Sequence, residues 1–234
     1  MILRRKLLTE RPLIPEKLRF LIVTAFTSIN LLLGLLALFA AVEGILNIAV
    51  WSLLACVVVD GIDGALARHW QVQSPFGAQL DSLADMTSFT IASAVLAFYW
   101  LQPDIPFKLI FGASCFYTLS GAVRLARFNV SLPSSHYFQG MPTTVAGAVV
   151  AIFCLAYPDP GSIWGVIMML LLAVLMVTTL PYPKFRHARK FPVVVWLLIS
   201  GGAVLNLSLT LVMLALFYTL TGPFIWLYRR YSVQ

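Results

Sequence analysis

Residues 57–85 read VVVDGIDGALARHWQVQSPFGAQLDSLAD, and they hold four of the nine acidic residues of a 234-residue chain: Asp60, Asp63, Asp81 and Asp85. Apolar sequence flanks the stretch on both sides. Asp60 and Asp63 are three apart and Asp81 and Asp85 four apart, so each pair shares one face of a helix. Ser74 and Pro75 supply an N-cap and a first helical residue, which starts a second helix running back along the first. At 1.5 Å per residue, Asp60 stands about 12 Å along its helix from Arg68, and Asp81 about 10 Å from Ser74. The depths match, so the four carboxylates can face one another.

Such a group is expensive in an apolar setting. One aspartate at the centre of a membrane helix costs about 2.5–3.5 kcal/mol on the insertion scale, and four cost on the order of 10 kcal/mol before mutual repulsion, less toward a helix end. Two divalent cations would cancel the four charges, and an all-oxygen donor set suits Mg²⁺ or Mn²⁺ better than zinc. Protonation, or pairing with bases, is the plainer alternative. Arg68 is the only base close in sequence, and one cation does not balance four anions. An acid-lined cation pathway is the sharper competitor. The accompanying Gly61, Gly64, Ala65, Ala67, Gly77 and Ala78 serve either close helix packing or the approach of a bulky group to the backbone. In the second case Arg68 clamps a phosphate; taken alone it marks topology.

The rest of the chain supplies the bilayer. It is 60% apolar and 11% charged, with a mean hydropathy of +0.91, whereas soluble domains carry roughly a quarter charged residues. Its apolar stretches fill about eight lengths of the roughly 20 residues that cross a membrane. The expected spans are 20–42, 45–68, 75–101, 106–128, 141–157, 162–180, 191–206 and 208–228, with a turn near Asn206 between the last two. The run from Phe20 is too long for a signal-peptide core. Of the sixteen Lys and Arg, only Lys108 falls on the side of the turns holding Glu43, Asp104 and Asp159. By the positive-inside rule both termini and the acids therefore face the cytoplasm, in the cell membrane. Residues 1–19, with Arg4, Arg5, Lys6, Arg11, Lys17 and Arg19, read as a basic interfacial segment on anionic lipid. The net charge of +7 is thereby accounted for without nucleic acid. Lys184, Arg186, His187, Arg189 and Lys190 read as a membrane-surface patch. Cys56, Cys115 and Cys154 lie apart in apolar segments and match no metal spacing; they read as small hydrophobes.

The spacing Asp60-x2-Asp63-Gly64-x2-Ala67-Arg68-x8-Gly77-x3-Asp81-x3-Asp85 resembles the signature of the CDP-alcohol phosphotransferase family, without a gap or substitution. Leu80-Asp-Ser-Leu-Ala-Asp-Met86, Arg124-Leu-Ala-Arg-Phe-Asn129, Gly140-Met-Pro-Thr143 and Thr221-Gly-Pro223 are similar to its bacterial and archaeal phosphatidylserine synthase branch. The chain departs at Val23-Thr24, ahead of Thr27 and Asn30, and at Thr90-Ile-Ala-Ser93. The resemblance implies an all-α, six-helix catalytic membrane core over 20–180, with two added helices over 191–228. It implies transfer of the phosphatidyl group of CDP-diacylglycerol to L-serine with release of CMP, or to another acceptor such as glycerol 3-phosphate or an inositol phosphate. Asp60, Asp63, Asp81 and Asp85 would hold two Mg²⁺ or Mn²⁺ ions, and Asp85 would also be the general base. Gly64, Ala67, Arg68 and Gly77, with Thr27 and Asn30 nearby, would line the nucleotide and pyrophosphate site. Arg124 and Arg127 share a helix face; they are topology markers, or a second anion site for the lipid phosphate or the carboxylate of serine. His136 reads as a solvated loop residue or an acid–base helper. The resemblance also allows a homodimer.

Overall fold

The computed structural model describes residues 15–102, 105–130, 137–157, 163–183 and 206–231. Helices α1 (Glu16–Val42) and α2 (Leu46–Trp70) form an antiparallel pair. Next, α3 (Pro75–Asp85) runs through a π-helical segment, Met86–Ala92, into α4 (Ser93–Leu101). Then come α5 (Phe107–Val130), strand β1 (Tyr137–Gln139), α6 (Thr143–Ala156), α7 (Trp164–Val177), strand β2 (Pro181–Pro183) and α8 (Leu207–Tyr231). Glu16–Val42, Leu46–Trp70, Pro75–Leu101, Phe107–Val130 and Leu207–Tyr228 are each long and apolar enough to cross a bilayer. The protein is an all-α polytopic membrane protein.

Local chemistry sets the helix ends. Pro15 precedes α1, and Glu16 sits in its first turn, where a fixed φ and a negative charge both favour helix initiation. The helix therefore takes in Lys17 and Arg19 from the segment expected at the interface; residues 1–14 lie outside the described residues. Ser74 caps α3, its Oγ accepting from the Gly77 amide at 3.0 Å. Asn206 caps α8, its Oδ1 accepting from the Leu209 amide at 2.9 Å. The spans expected at 141–157 and 162–180 hold shorter helices of 14 residues each. Pro142 stands at the start of the first, and extended backbone at Thr178 ends the second. The span expected over 191–206, apart from Asn206 itself, and His136 and the basic patch 184–190 fall outside the described residues.

On α1 the inward face is small and the outward face large. On α1 the buried residues are Thr27, Asn30, Gly34, Ala37, Ala40 and Ala41, while Leu21, Leu32 and Phe39 are exposed. Lipid tails are as apolar as leucine, so helix association rests on close backbone approach rather than on burying bulk. The approach is closest around the π segment. A Cβ on Gly34 would collide with Ser88, one on Gly121 would lie 2.5 Å from Thr90 Cγ2, and one on Gly147 3.0 Å from the Phe89 backbone. The wider π turn leaves carbonyls that side chains take up. Phe89 O accepts from Ser93 Oγ at 2.5 Å and from Tyr117 Oη at 3.2 Å.

A two-stranded antiparallel ribbon, absent from the sequence expectation, joins the chain after α5 to the chain after α7. Tyr137 pairs with Pro183, Phe138 with Tyr182 and Gln139 with Pro181. Gly140 closes it at φ +78°, with Met176 O 2.5 Å and Thr178 O 2.6 Å from where a Cβ would stand. Only glycine fits that backbone and that space.

Candidate active site

Helices α2 and α3 bring the acids together. One carboxylate oxygen from each of Asp60, Asp63 and Asp81 lies within 4.8 Å of the others. The Asp85 carboxyl faces that of Asp60. Asp63 is 2% exposed, and its Oδ2, like Asp85 Oδ1, is buried with no hydrogen-bond partner. Unpartnered anionic oxygens at this depth carry a large desolvation cost. A divalent cation relieves it, and an oxygen-only set of clustered carboxylates is the donor chemistry that hard cations take. The residues fit such ions.

The other residues singled out by sequence surround this group. Thr27 of α1 lies against Asp63. Asn30 is fully buried with both side-chain amide atoms unpartnered, and its carbonyl accepts from Ser88 Oγ at 3.0 Å. Arg68 is exposed and folds back over Gly64, its Nη1 3.3 Å from the place a Gly64 Cβ would take. It lies within electrostatic reach of Asp60, Asp63 and Asp81. Ala67 follows Asp63 by one turn, and Gly77 precedes Asp81 by one turn.

Arg68 is not the only base near the acids. Arg124, 8% exposed, stands within electrostatic reach of Asp85 and Asp60. The antiparallel course of α5 brings it to the depth of Asp85, which linear distance along the chain hid. Its Nη1 donates to Thr143 Oγ1 at 2.9 Å, while its Nε is buried without a partner. Two guanidinium groups still fall short of four carboxylates. Arg127 points elsewhere, its Nη1 donating to the Val177 carbonyl at 2.9 Å at the end of α7.

Two contacts had no advance signal beyond their residue types. Thr144 Oγ1 donates to Asp60 Oδ2 at 3.4 Å, so the first turn of α6 touches the acids. At the mouth, Ser82 Oγ donates to Asn129 Oδ1 at 2.9 Å, tying α3 to α5.

These features define a buried acidic site within a helical membrane protein, with an oxygen donor set that fits divalent cations. A sequence profile of the CDP-alcohol phosphatidyltransferase family matches residues 20–180, and the chain belongs to that family. It is an enzyme. It is 30% identical over 226 residues to a CDP-diacylglycerol–serine O-phosphatidyltransferase of Helicobacter pylori, covering 92% of this chain and 94% of the relative. The enzyme of that name from Bacillus subtilis is 32% identical, over 68% of this chain and 88% of its own. An archaetidylserine synthase of Methanothermobacter thermautotrophicus is 30% identical over 64% of each.

Proposed function

We propose that the protein transfers the phosphatidyl group of CDP-diacylglycerol to L-serine, releasing CMP, on the cytoplasmic side of the cell membrane. The observation that carries this reading is the meeting of Asp60, Asp63 and Asp81 oxygens within 4.8 Å, at membrane depth, in a chain whose relatives bear serine phosphatidyltransferase names. A lipid diphosphate presents its charge where the membrane interior begins, which is where the span ends expected from the sequence would put these acids.

Asp60, Asp63, Asp81 and Asp85 would hold two ions, Mg²⁺ or Mn²⁺, which supply neutralisation of the diphosphate oxygens and of the charge on departing CMP. Asp85 takes the proton from the serine hydroxyl. Reach to that proton matters before pKa, and Asp85, one turn beyond Asp81 on α3, would supply it. The serine oxygen then bonds to the lipid-side phosphorus as the phosphorus–oxygen bond to CMP breaks, in line. Gly64, Ala67 and Gly77, with Arg68, Thr27 and Asn30, line the cytidine and diphosphate side. Arg124, with Arg127 behind it, receives the serine carboxylate or the lipid phosphate, since guanidinium forks match both.

The test is CMP release by purified protein given CDP-diacylglycerol and L-serine, glycerol 3-phosphate or an inositol phosphate in turn. Serine-dependent release is expected. Release with another acceptor and none with serine removes the assignment.

A further inference from the structure

The Thr221-Gly222-Pro223 stretch lies beyond the residues the family profile matches, yet the structure gives it a defined task. Pro223 sits inside α8. It has no amide hydrogen to give the residue four positions earlier, so the Thr219 carbonyl loses its intrahelical partner. That carbonyl accepts instead from the Tyr182 hydroxyl at 3.1 Å. Gly222, the residue before the proline, leaves the space that the Tyr182 ring fills: a Cβ there would stand 2.5 Å from Tyr182 Cε2. One motif thus makes both a notch for the ring and an acceptor for its hydroxyl.

Tyr218 completes the clasp from the same helix. Its ring stacks on Tyr182 at 5.6 Å between centroids, and its hydroxyl donates to the Pro183 carbonyl at 3.3 Å. Tyr182 is fully buried and central in β2. The ribbon continues directly into Gly140, whose amide donates to Leu180 O at 2.9 Å, and into Met141, whose amide donates to Leu175 O at 3.0 Å. Two residues on, Thr143 accepts from Arg124. Tyr218 itself lies within electrostatic reach of the Arg124 guanidinium.

We infer that α8 is a working wall of the active site, with Tyr182, Tyr218 and Gly222 acting as positioning residues that hold the ribbon and so aim Arg124 at the anionic group of the acceptor. This rests on the acceptor-side role proposed for Arg124. The four acids stand on α2 and α3, whereas α8 packs on α6 and β2.

The test uses full-length protein in detergent micelles or vesicles containing CDP-diacylglycerol. Gly222→Leu, which fills the notch, should raise the KM for serine at least about tenfold, as expected when a contact group shifts by a fraction of an ångström to an ångström. The KM for CDP-diacylglycerol and the half-saturating Mn²⁺ concentration should stay within about twofold of wild type. Combining Gly222→Leu with Tyr182→Ala, which empties the space the leucine needs, should recover part of the serine KM. Tyr218→Phe, which keeps the ring stack, is the milder probe if Gly222→Leu does not fold; a rise in serine KM alone is again expected. Unchanged serine KM in whichever of these folds, or equal loss toward both substrates, overturns the inference. Wild-type protein that turns over no serine at all would instead remove the function on which it rests.

Discussion

At the scale of single residues, the site divides its labour among carboxylates whose surroundings differ. Asp63 is sealed against α1, Asp60 takes a hydroxyl from Thr144, and Asp85 faces Asp60 from the next helix. Replacing Asp85 by Asn keeps shape and removes the proposed proton acceptor. Turnover should fall by at least about 10²–10⁴-fold, the usual worth of a positioned base, while CDP-diacylglycerol binding stays measurable. Asp60→Asn should weaken binding and metal dependence together, because it removes a proposed donor to the ions. Equal turnover of Asp85→Asn and wild type would remove the base assignment. Thr144→Val separates orientation from ligation. Loss of the hydroxyl on Asp60 should raise the half-saturating metal concentration about 10–100-fold, with kcat at saturating metal close to wild type. A fall in kcat with unchanged metal affinity would show that Thr144 acts elsewhere.

At the scale of the element, the π-helical segment is where regular geometry gives way. It begins immediately after Asp85 and is gripped by glycines of three helices, Gly34, Gly121 and Gly147. Gly121→Leu must displace Thr90 and should cost about 1–3 kcal/mol, the usual range for overpacking. That loss should be read as a lowered thermal midpoint in detergent. Gly112→Leu on the same helix has nothing within 4 Å of its Cβ and should leave the midpoint unchanged. Equal effects of the two would argue against tight packing at the segment. The sequence carries the acids because charge in an apolar run is costly and its spacing survives as a pattern. It does not carry the π segment, since Ser93 and Tyr117 are ordinary helix residues until their hydroxyls meet the Phe89 carbonyl, the first along the same run of helix and the second across helices. The nearness of Arg124 to the acids left no mark for a related reason: Asp85 and Asp60 lie about forty to sixty positions away along the chain, beyond any local spacing rule.

At the scale of the whole molecule, hydropathy marked the described helices, seven of the eight expected spans, because each crossing needs an unbroken apolar length. The ribbon left no such mark: three-residue strands built around two prolines carry no alternation to read. Orientation follows from contacts of the described ends. Phe20 meets Phe76 at 6.5 Å, so α1 begins beside the start of α3, at the acid-bearing end of the bundle. At the other terminus, Tyr218, Thr219 and Gly222 meet β2, which follows the end of α7 where Arg127 binds Val177 O. Leu207 lies about 16 Å further along α8 from Tyr218, toward the opposite end, so the last helix also points its C-terminus to the acid side. Both tails, with Arg229 and Arg230 following the last span, should therefore share the side of the active site. Single cysteines in a variant lacking Cys56, Cys115 and Cys154 test this with a membrane-impermeant maleimide on sealed, right-side-out vesicles. Glu43→Cys should label from outside, and Gln71→Cys and Ser232→Cys only after permeabilisation. Labelling of Ser232→Cys together with Glu43→Cys would reverse the last helix. It would also separate α8 from β2, and with it the clasp on Tyr182.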